Sequence, residues 1–334
     1  MALLNLLSIA PASTTPRLSD VETKTFASKI KKIINIRGRG LEPKKIRVPQ
    51  SPETKAFRVT SQHQVEVGTL QEKMTKFQQY SKLAAFSYTG KVNAKDWFMT
   101  KAPGGMNRDN PSLTPQYLST ELVYRDMKEG FYLSDDNKIL CSKSGLTASV
   151  GINYKEKTVA VVFGGTTSGA SNSSSLMKRA WKNRKFLVPQ NKENLVNALT
   201  SQTPKSYLQA SQIVKKLAGI IPEDYSIVTV GHSKGAAEAE YAAINNFLSD
   251  RPIEAYCFSS ARLNKQSFEK CMDPEEVRKH VHHCFVEWDF IPHVGYGHHV
   301  GDVTYVPSGG KFNPISAHDK FHKHIQRYTS RLEK

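Results

Sequence analysis

Cysteine, acidic residues and long apolar runs are scarce in this sequence, and each shortage argues against a class of protein. A disulfide scaffold is not expected, because the 334 residues hold only four cysteines, with no Cys-x-x-Cys pair and no zinc-type spacing to histidine. A membrane-spanning helix is not expected either, because no run reaches the roughly 18 apolar residues that it needs. No internal repeat is found. We expect free thiols at Cys141, Cys257, Cys271 and Cys284.

The shortage of acidic residues leaves the chain strongly basic. Against 47 Lys and Arg stand 30 Asp and Glu, which gives a net charge of +17. A basic surface attracts nucleic acid, anionic lipid or an acidic partner, although it also serves simple solubility. No nucleic-acid-binding motif is found, so a nucleic-acid partner is not expected. The length and the 39% of hydrophobic residues suffice for one large core, with or without an appendage.

The N-terminal segment, residues 1–69, differs in texture from the rest. Residues 1–70 carry 12 Lys and Arg against 5 Asp and Glu, and Gly and Pro interrupt most helical patterns, so we predict a basic and largely flexible segment. Residues 26–36 have helical apolar spacing and predict either a membrane-touching basic helix or a solvated linker. Residues 1–12 are apolar but lack the positive region of a secretory signal, so we expect no conventional signal peptide.

From about residue 70 onward, apolar strand-like runs alternate with helical patterns. Continuous apolar runs indicate strands covered on both faces, and their alternation with helices predicts a parallel sheet between two helix layers. We therefore predict an α/β domain over residues 70–334, with a mostly parallel central sheet. The predicted strands are residues 146–154, 158–163, 226–230, 253–258 and 281–286. The predicted helices are residues 70–88, a helix that Thr203 opens and 234–248.

Residues 231–235, Gly-His-Ser-Lys-Gly, fit the G-x-S-x-G pattern between a predicted strand and a predicted helix. That context is typical of a nucleophile elbow, which presents its serine above the sheet at a helix N-terminus. We therefore predict Ser233 as a nucleophile. Asp289 follows the strand 281–286 and suits the orienting acid, because the order in this arrangement is Ser, acid, His.

Several downstream histidines compete for the role of base. Their spacing to acidic residues matches no common metal-ligand pattern, so we expect no metal. A triad histidine on a late loop is the preferred interpretation, and the residues alone leave its identity open. The histidines are His293, His298, His299, His318, His322 and His324.

Four segments together resemble the class 3 lipases, the family related to fungal triacylglycerol lipases, over residues of about 70 to 330. They read Val-Val-Phe-Gly-Gly-Thr at 161–166, Thr-Val-Gly-His-Ser-Lys-Gly at 229–235, Tyr-Cys-Phe-Ser-Ser-Ala-Arg-Leu-Asn at 256–264 and Val-Glu-Trp-Asp-Phe-Ile-Pro at 286–292. Order and spacing match as well. A Gly-His-Ser-Lys-Gly elbow is similar to that of a bacterial branch of lipase-like proteins.

The resemblance implies an α/β-hydrolase fold and a serine ester hydrolase that uses an acyl-enzyme and no cofactor. It implies Ser233 as nucleophile, Asp289 as acid and His318 as base, with His322 and with His298 or His299 as alternatives. Thr166 and the backbone N–H of Lys234 would bind the oxyanion. The sequence departs from the family pattern at several positions, which puts the substrate preference in doubt. These are Gly164, Lys234, Ala236, Ser259 and Ala261.

The class 3 lipases that the sequence resembles have a lid directly after the oxyanion turn. The corresponding residues here are 168–187, which we call the lid segment. Its first half, residues 168–175, has the composition of a flexible hinge. Its second half, residues 176–187, combines five cations with Trp181, as in helices that lie on anionic lipid, where each cation contributes roughly 1 kcal/mol. We predict Trp181, Lys178 and Arg179 as membrane contacts, with a solvated basic loop as the alternative.

This combination predicts a phospholipase A or lysophospholipase on anionic membranes. The alternatives are a carboxylesterase or acyltransferase on a non-lipid ester, and a non-catalytic hydrolase scaffold bound to anionic membrane. The unusual N-terminal segment is similar to that of bacterial effectors exported by dedicated secretion machines. Such a role would place the protein on membranes, often inside a host cell, and would involve a secretion chaperone or a host activator. A cytoplasmic location is the alternative.

Overall fold

The structure, a computed structural model, describes most of the chain from residue 61 onward. Within it, residues Gln64–Lys334 form one compact unit. The predictions for residues 1–60 and for Cys271 lie outside the described residues, and the domain boundary at residue 69 stays a prediction. The described residues are 61–91, 94–99, 113–124, 130–173, 175–200, 202–246, 251, 253–264, 267, 279–294, 297–309 and 313–333.

A single mixed sheet of nine strands organises the described part of the chain. Its order is β2-β3-β4-β5-β6-β7-β8-β9, and β1 pairs with β4 beside this path. Strands β5 to β9 are all parallel, whereas the pairings among β1 to β5 are antiparallel. The strands are β1 Phe98–Met99, β2 Phe131–Leu133, β3 Ile139–Cys141, β4 Thr147–Asn153, β5 Thr158–Phe163, β6 Ser226–His232, β7 Ile253–Phe258, β8 Val281–Val286 and β9 Asp302–Val306.

Eight α-helices lie within the described residues, and none of these is long and apolar enough to cross a membrane. They are α1 Ser61–Thr89, α2 Pro115–Tyr124, α3 Leu176–Lys182, α4 Arg184–Leu199, α5 Lys205–Ala218, α6 Lys234–Asn246, α7 Pro314–Asp319 and α8 Phe321–Leu332.

Side chains of the central strands alternate between two buried cores, one on each face of the sheet. In β5, Val159 and Val161 belong to one core with residues of α2, α5 and α6. Ala160 and Val162 belong to the other core, with residues of α1 and α8. Because the strand is covered on both faces, nearly all of its residues can be apolar. This continuous apolar run is the pattern that predicted the strand from the sequence. The α/β-hydrolase fold is thereby confirmed.

Two local predictions need adjustment. The helix α5 begins after Pro204, which makes no side-chain cap hydrogen bond, and not after a Thr203 cap. The second half of the lid segment is divided between α3 and α4 at Asn183. The side-chain amide of Asn183 donates to the carbonyls of Thr167 and Ser171. These hydrogen bonds stabilise the interruption between α3 and α4.

The three described cysteines agree with the expectation of free thiols. Cys141, Cys257 and Cys284 are buried and form no disulfide with one another. Burial raises the pKa of the Cys257 and Cys284 thiols, so both behave as small apolar groups.

Candidate active site

Ser233 occupies the sharp turn between β6 and α6. Its φ is 59°, in the left-handed region that side chains rarely adopt. The turn is tight enough to require glycine on both sides. A Cβ at Gly231 would collide with the backbone carbonyl of Gly235, and a Cβ at Gly235 would collide with the carbonyl of Phe163. The sequence therefore folds here as a nucleophile elbow.

Asp289 and His318 form a hydrogen-bonded pair. Asp289 lies after β8, is 4% exposed, and its Oδ1 accepts from the N–H of Ile291 at 3.0 Å. His318 on α7 brings its Nδ1 to 2.9 Å from Oδ2 and 3.2 Å from Oδ1. An Nδ1–H that donates to the carboxylate leaves the lone pair on Nε2, which is the tautomer that a general base needs.

His232 joins the elbow to the helix that carries His318. Its Nε2 lies 3.0 Å from the backbone oxygen of His318, and the two rings are 4.4 Å apart. Its ring stacks on Phe321 at 4.1 Å, and its Nδ1 lies 2.8 Å from the hydroxyl of Tyr88. Burial holds the pKa of His232 well below its usual value, so the ring is neutral and can position its neighbours without adding charge.

Sequence reasoning missed the part played by His232. Its place in the elbow motif was visible, but its partners are 144 and 86 positions away along the chain. Within the described residues, Ser233 Oγ makes no hydrogen bond to His318. Such bonds are often long in the free enzyme and tighten with substrate.

The competing histidines have other partners or positions. His299 Nε2 lies 2.8 Å from the carbonyl of Pro292, and burial together with His283 lowers its pKa to about 4. His298 is exposed on a bridge to Leu263. Burial also lowers the pKa of His322 on α8. His318 is the histidine whose ring the structure brings to Asp289.

The predicted oxyanion turn packs against the elbow. A Cβ at Gly165 would lie 3.3 Å from the Cβ of Ser233 and would also meet the carbonyl of His232. Next to it, Thr166 Oγ1 accepts a hydrogen bond from Asn194 of α4 at 3.0 Å, which leaves its own hydroxyl hydrogen available. The N–H of Lys234 lies in the first turn of α6, where amides have no partner within the helix. Donors of this kind suit a developing oxyanion.

The side chain of Lys234 is buried and paired. Its Nζ forms an ion pair with Glu238, one turn further along α6, and both side chains are at most 2% exposed. Burial raises the pKa of Glu238, and the charge of Lys234 opposes that shift. Lys234, which departs from the class 3 lipase pattern, is thus accommodated by Glu238 of the same helix. Its charge is neutralised inside the protein.

The three predicted membrane contacts separate into two groups. Trp181 is 67% exposed and Lys178 is exposed as well. Arg179, in contrast, is 4% exposed, so its prediction as a membrane contact is wrong. The helical period turns it inward, where it bonds Thr167 Oγ1, the carbonyl of Ser173 and Asp319. Arg179 also stacks over the ring of Tyr88, with 4.6 Å to the centroid.

A family model and several solved structures are similar to part of this chain. The family model of Lipase (class 3) matches residues 160–298, which run from β5 past the acid loop, residues 287–292. Over these residues the chain is similar to class 3 lipases, and this similarity supports a carboxylic ester hydrolase. No curated protein sequence matches the chain.

The solved structures to which the chain is similar include three lipases, all of low sequence identity. A triacylglycerol lipase from Penicillium expansum is 15% identical, with 71% of this chain and 80% of that chain covered and a TM-score of 0.41. A lipase from Rhizopus microsporus var. chinensis is 17% identical, with 70% and 74% covered and a TM-score of 0.39. Lip2 lipase from Yarrowia lipolytica is 16% identical, with 72% and 80% covered and a TM-score of 0.40.

Proposed function

We propose that the protein cleaves a lipid ester with Ser233 as nucleophile, His318 as general base and Asp289 as the orienting acid. The observation that carries this proposal is the hydrogen bond of 2.9 Å between His318 and Asp289. The left-handed elbow serine supports it, since strain of this kind is found at nucleophiles. The match to the class 3 lipase model supports the same chemistry.

The reaction would run through an acyl-enzyme. Ser233 Oγ attacks the ester carbonyl carbon while its proton passes to Nε2 of His318. The bond to the alcohol breaks as His318 returns that proton to the leaving oxygen. Water then attacks the acyl-enzyme by the same route and releases the fatty acid. The Lys234 amide and Thr166 would donate to the oxyanion in both steps.

The first test is Ser233→Ala. We expect the wild-type protein to react with a fluorophosphonate probe and the variant to lose this labelling, with a fall in kcat of about 10⁶. Ser226→Ala, at the opposite end of the same strand, serves as the matched control and should label normally. Labelling that survives Ser233→Ala would reject the nucleophile. A wild-type protein that does not label would favour the non-catalytic scaffold.

We further propose that the substrate is a phospholipid in an anionic surface, cleaved by phospholipase A or lysophospholipase activity. Support comes from exposed apolar side chains of α3, Met177 at 58% and Trp181 at 67%, beside the exposed Lys178 and Lys182. The acid loop adds Trp288 and Phe290, which are 48% and 44% exposed. Aromatic residues among cations are typical of interfacial segments.

The substrate test compares vesicles with a soluble ester. We expect faster fatty-acid release from phosphatidylcholine vesicles that contain phosphatidylglycerol than from phosphatidylcholine alone. Trp181→Ala should lower vesicle hydrolysis about tenfold more than hydrolysis of p-nitrophenyl butyrate, a loss of about 1.4 kcal/mol of surface binding. Lys155→Ala, in the turn between β4 and β5, should leave both rates unchanged.

Two outcomes would change the substrate assignment. A preference for the soluble ester with no effect of Trp181→Ala would favour the carboxylesterase. Acyl transfer to an added alcohol in preference to water would favour the acyltransferase. Export to a host cell, a chaperone and an activator stay predictions from the sequence, because residues 1–60 lie outside the described residues.

A further inference from the structure

Three metal-binding side chains converge at a place that the catalytic residues do not use. Glu240 of α6 and His283 of β8 are fully buried, and His299, in the loop before β9, is half-buried. Each of them offers one ligand atom, and these atoms lie within 4.8 Å of one another. The rings of His283 and His299 are 5.1 Å apart.

Each of the two histidines has one ring nitrogen at a backbone carbonyl and the other without a hydrogen-bond partner in the described part of the chain. His283 Nε2 lies 3.0 Å from the carbonyl of Val300, and His299 Nε2 lies 2.8 Å from that of Pro292. An Nε2–H that donates to a carbonyl fixes the tautomer and leaves a lone pair on Nδ1. The Nδ1 atoms of both rings are buried and have no hydrogen-bond partner among the described residues. Metal-binding histidines nearly always donate their second ring N–H in this manner.

The buried carboxylate of Glu240 would also be stabilised by a cation. Its Oε1 accepts from the N–H of Val300 at 3.0 Å, and the described residues offer no lysine or arginine that pairs with it. His283 Nε2 lies 3.5 Å from Oε1, so this ring and the carboxylate are close neighbours. A cation held among the ligand atoms of the three side chains would neutralise the buried carboxylate.

We propose that Glu240, His283 and His299 bind a divalent transition metal, with Zn²⁺ as the ion that the ligands fit best. Two imidazoles and one carboxylate are a common set for Zn²⁺, with water in the fourth position. Ca²⁺ and Mg²⁺ prefer more oxygen ligands than this cluster offers. The metal would be structural. It would join α6, which begins directly after Ser233, to the segment around Pro292 that follows Asp289.

The experiment measures metal binding directly, so it is independent of the proposed ester hydrolysis. Tag-free protein is treated with chelator, desalted, titrated with Zn²⁺ and analysed for bound metal after gel filtration. We expect one equivalent of Zn²⁺, a higher melting temperature with Zn²⁺ than with Ca²⁺ or Mg²⁺, and visible absorption bands of tetrahedral Co²⁺ when Co²⁺ replaces Zn²⁺.

Variants locate the site. His283→Gln and His299→Gln should both lose the equivalent of metal, the thermal shift and the Co²⁺ bands. His282→Gln, on the same strand with its ring against Tyr256 at 5.1 Å, is the matched control and should keep all three. Circular dichroism will show whether His283→Gln folds. If it does not, the test of the metal site rests on His299→Gln, because His299 is only half-buried.

Three results would overturn the proposal. They are a wild-type protein that binds no stoichiometric Zn²⁺, Zn²⁺ binding that survives in the folded His299→Gln variant, and stabilisation by Ca²⁺ in preference to Zn²⁺.

Discussion

Ser233 and Ser259 both have a positive φ, at 59° and 52°, although their situations differ. At Ser233 the left-handed backbone lies in the elbow turn that carries the proposed nucleophile. Ser259 lies directly after β7 and is one of the positions at which the sequence departs from the class 3 lipase pattern. Its Oγ is buried and has no hydrogen-bond partner among the described residues. The serine therefore combines backbone strain with an unsatisfied hydroxyl.

Ser259→Gly should stabilise the protein. Left-handed backbone costs a residue with a Cβ about 1–2 kcal/mol, whereas the extra flexibility of glycine in the unfolded chain costs about 0.5–1 kcal/mol. We expect a net gain of about 1 kcal/mol in the free energy of unfolding, measured by urea denaturation, with fluorophosphonate labelling retained. Ser233→Gly is the matched control, which should gain similar stability and lose labelling. A loss of stability in Ser259→Gly would show that its hydroxyl has an unrecognised partner.

At the scale of elements, the strands that the sequence predicted best are those that lie between the two helix layers. The boundaries of β5, β7 and β8 agree with the predicted runs, because burial on both faces makes each strand continuously apolar. Strands β1, β2 and β3 were not predicted. They have two or three residues each, which is too short for any periodic pattern to be read.

The residues of the candidate site also fall into two groups, those that local motifs predict and those that tertiary packing determines. Ser233 and Asp289 were predicted from local motifs at strand ends, and their catalytic roles stay a proposal. The choice of His318 over its neighbours depends on which ring reaches Asp289, and this is set by the packing of α7 against the elbow. Arg179 was misjudged because composition cannot tell the inner from the outer face of a helix of seven residues.

The hydrogen bonds of Arg179 attach the helix α3 to the rest of the protein, and this attachment can be tested. Arg179→Ala should loosen the lid segment, because it removes hydrogen bonds to Thr167, Ser173 and Asp319 from a buried position. We expect about 2–3 kcal/mol less stability in urea, and faster hydrogen exchange across residues 168–187. Lys178→Ala, one position earlier on the exposed face, is the control and should change neither. Equal exchange in the two variants would reject the anchoring role of Arg179.

At the scale of the whole molecule, buried neutral histidines make stability depend on pH. Burial lowers the pKa of His232 well below its usual value and lowers that of His322 as well. Below about pH 6.5 the unfolded chain therefore binds protons at these positions that the folded chain does not. Their contribution to stability is present above the unfolded pKa and is lost as the pH falls from that pKa toward the lower folded pKa.

We expect the free energy of unfolding to fall as the pH drops from 7 to 5, by up to about 1.4 kcal/mol per pH unit for each proton taken up on unfolding. Urea denaturation at a series of pH values measures the slope. His322→Gln should flatten the slope, because glutamine cannot take up the proton in the unfolded chain, whereas the exposed His293→Gln is the control for general changes in net charge. A slope that is the same in both variants would mean that His322 takes up no extra proton on unfolding, and that the acid sensitivity has its origin elsewhere.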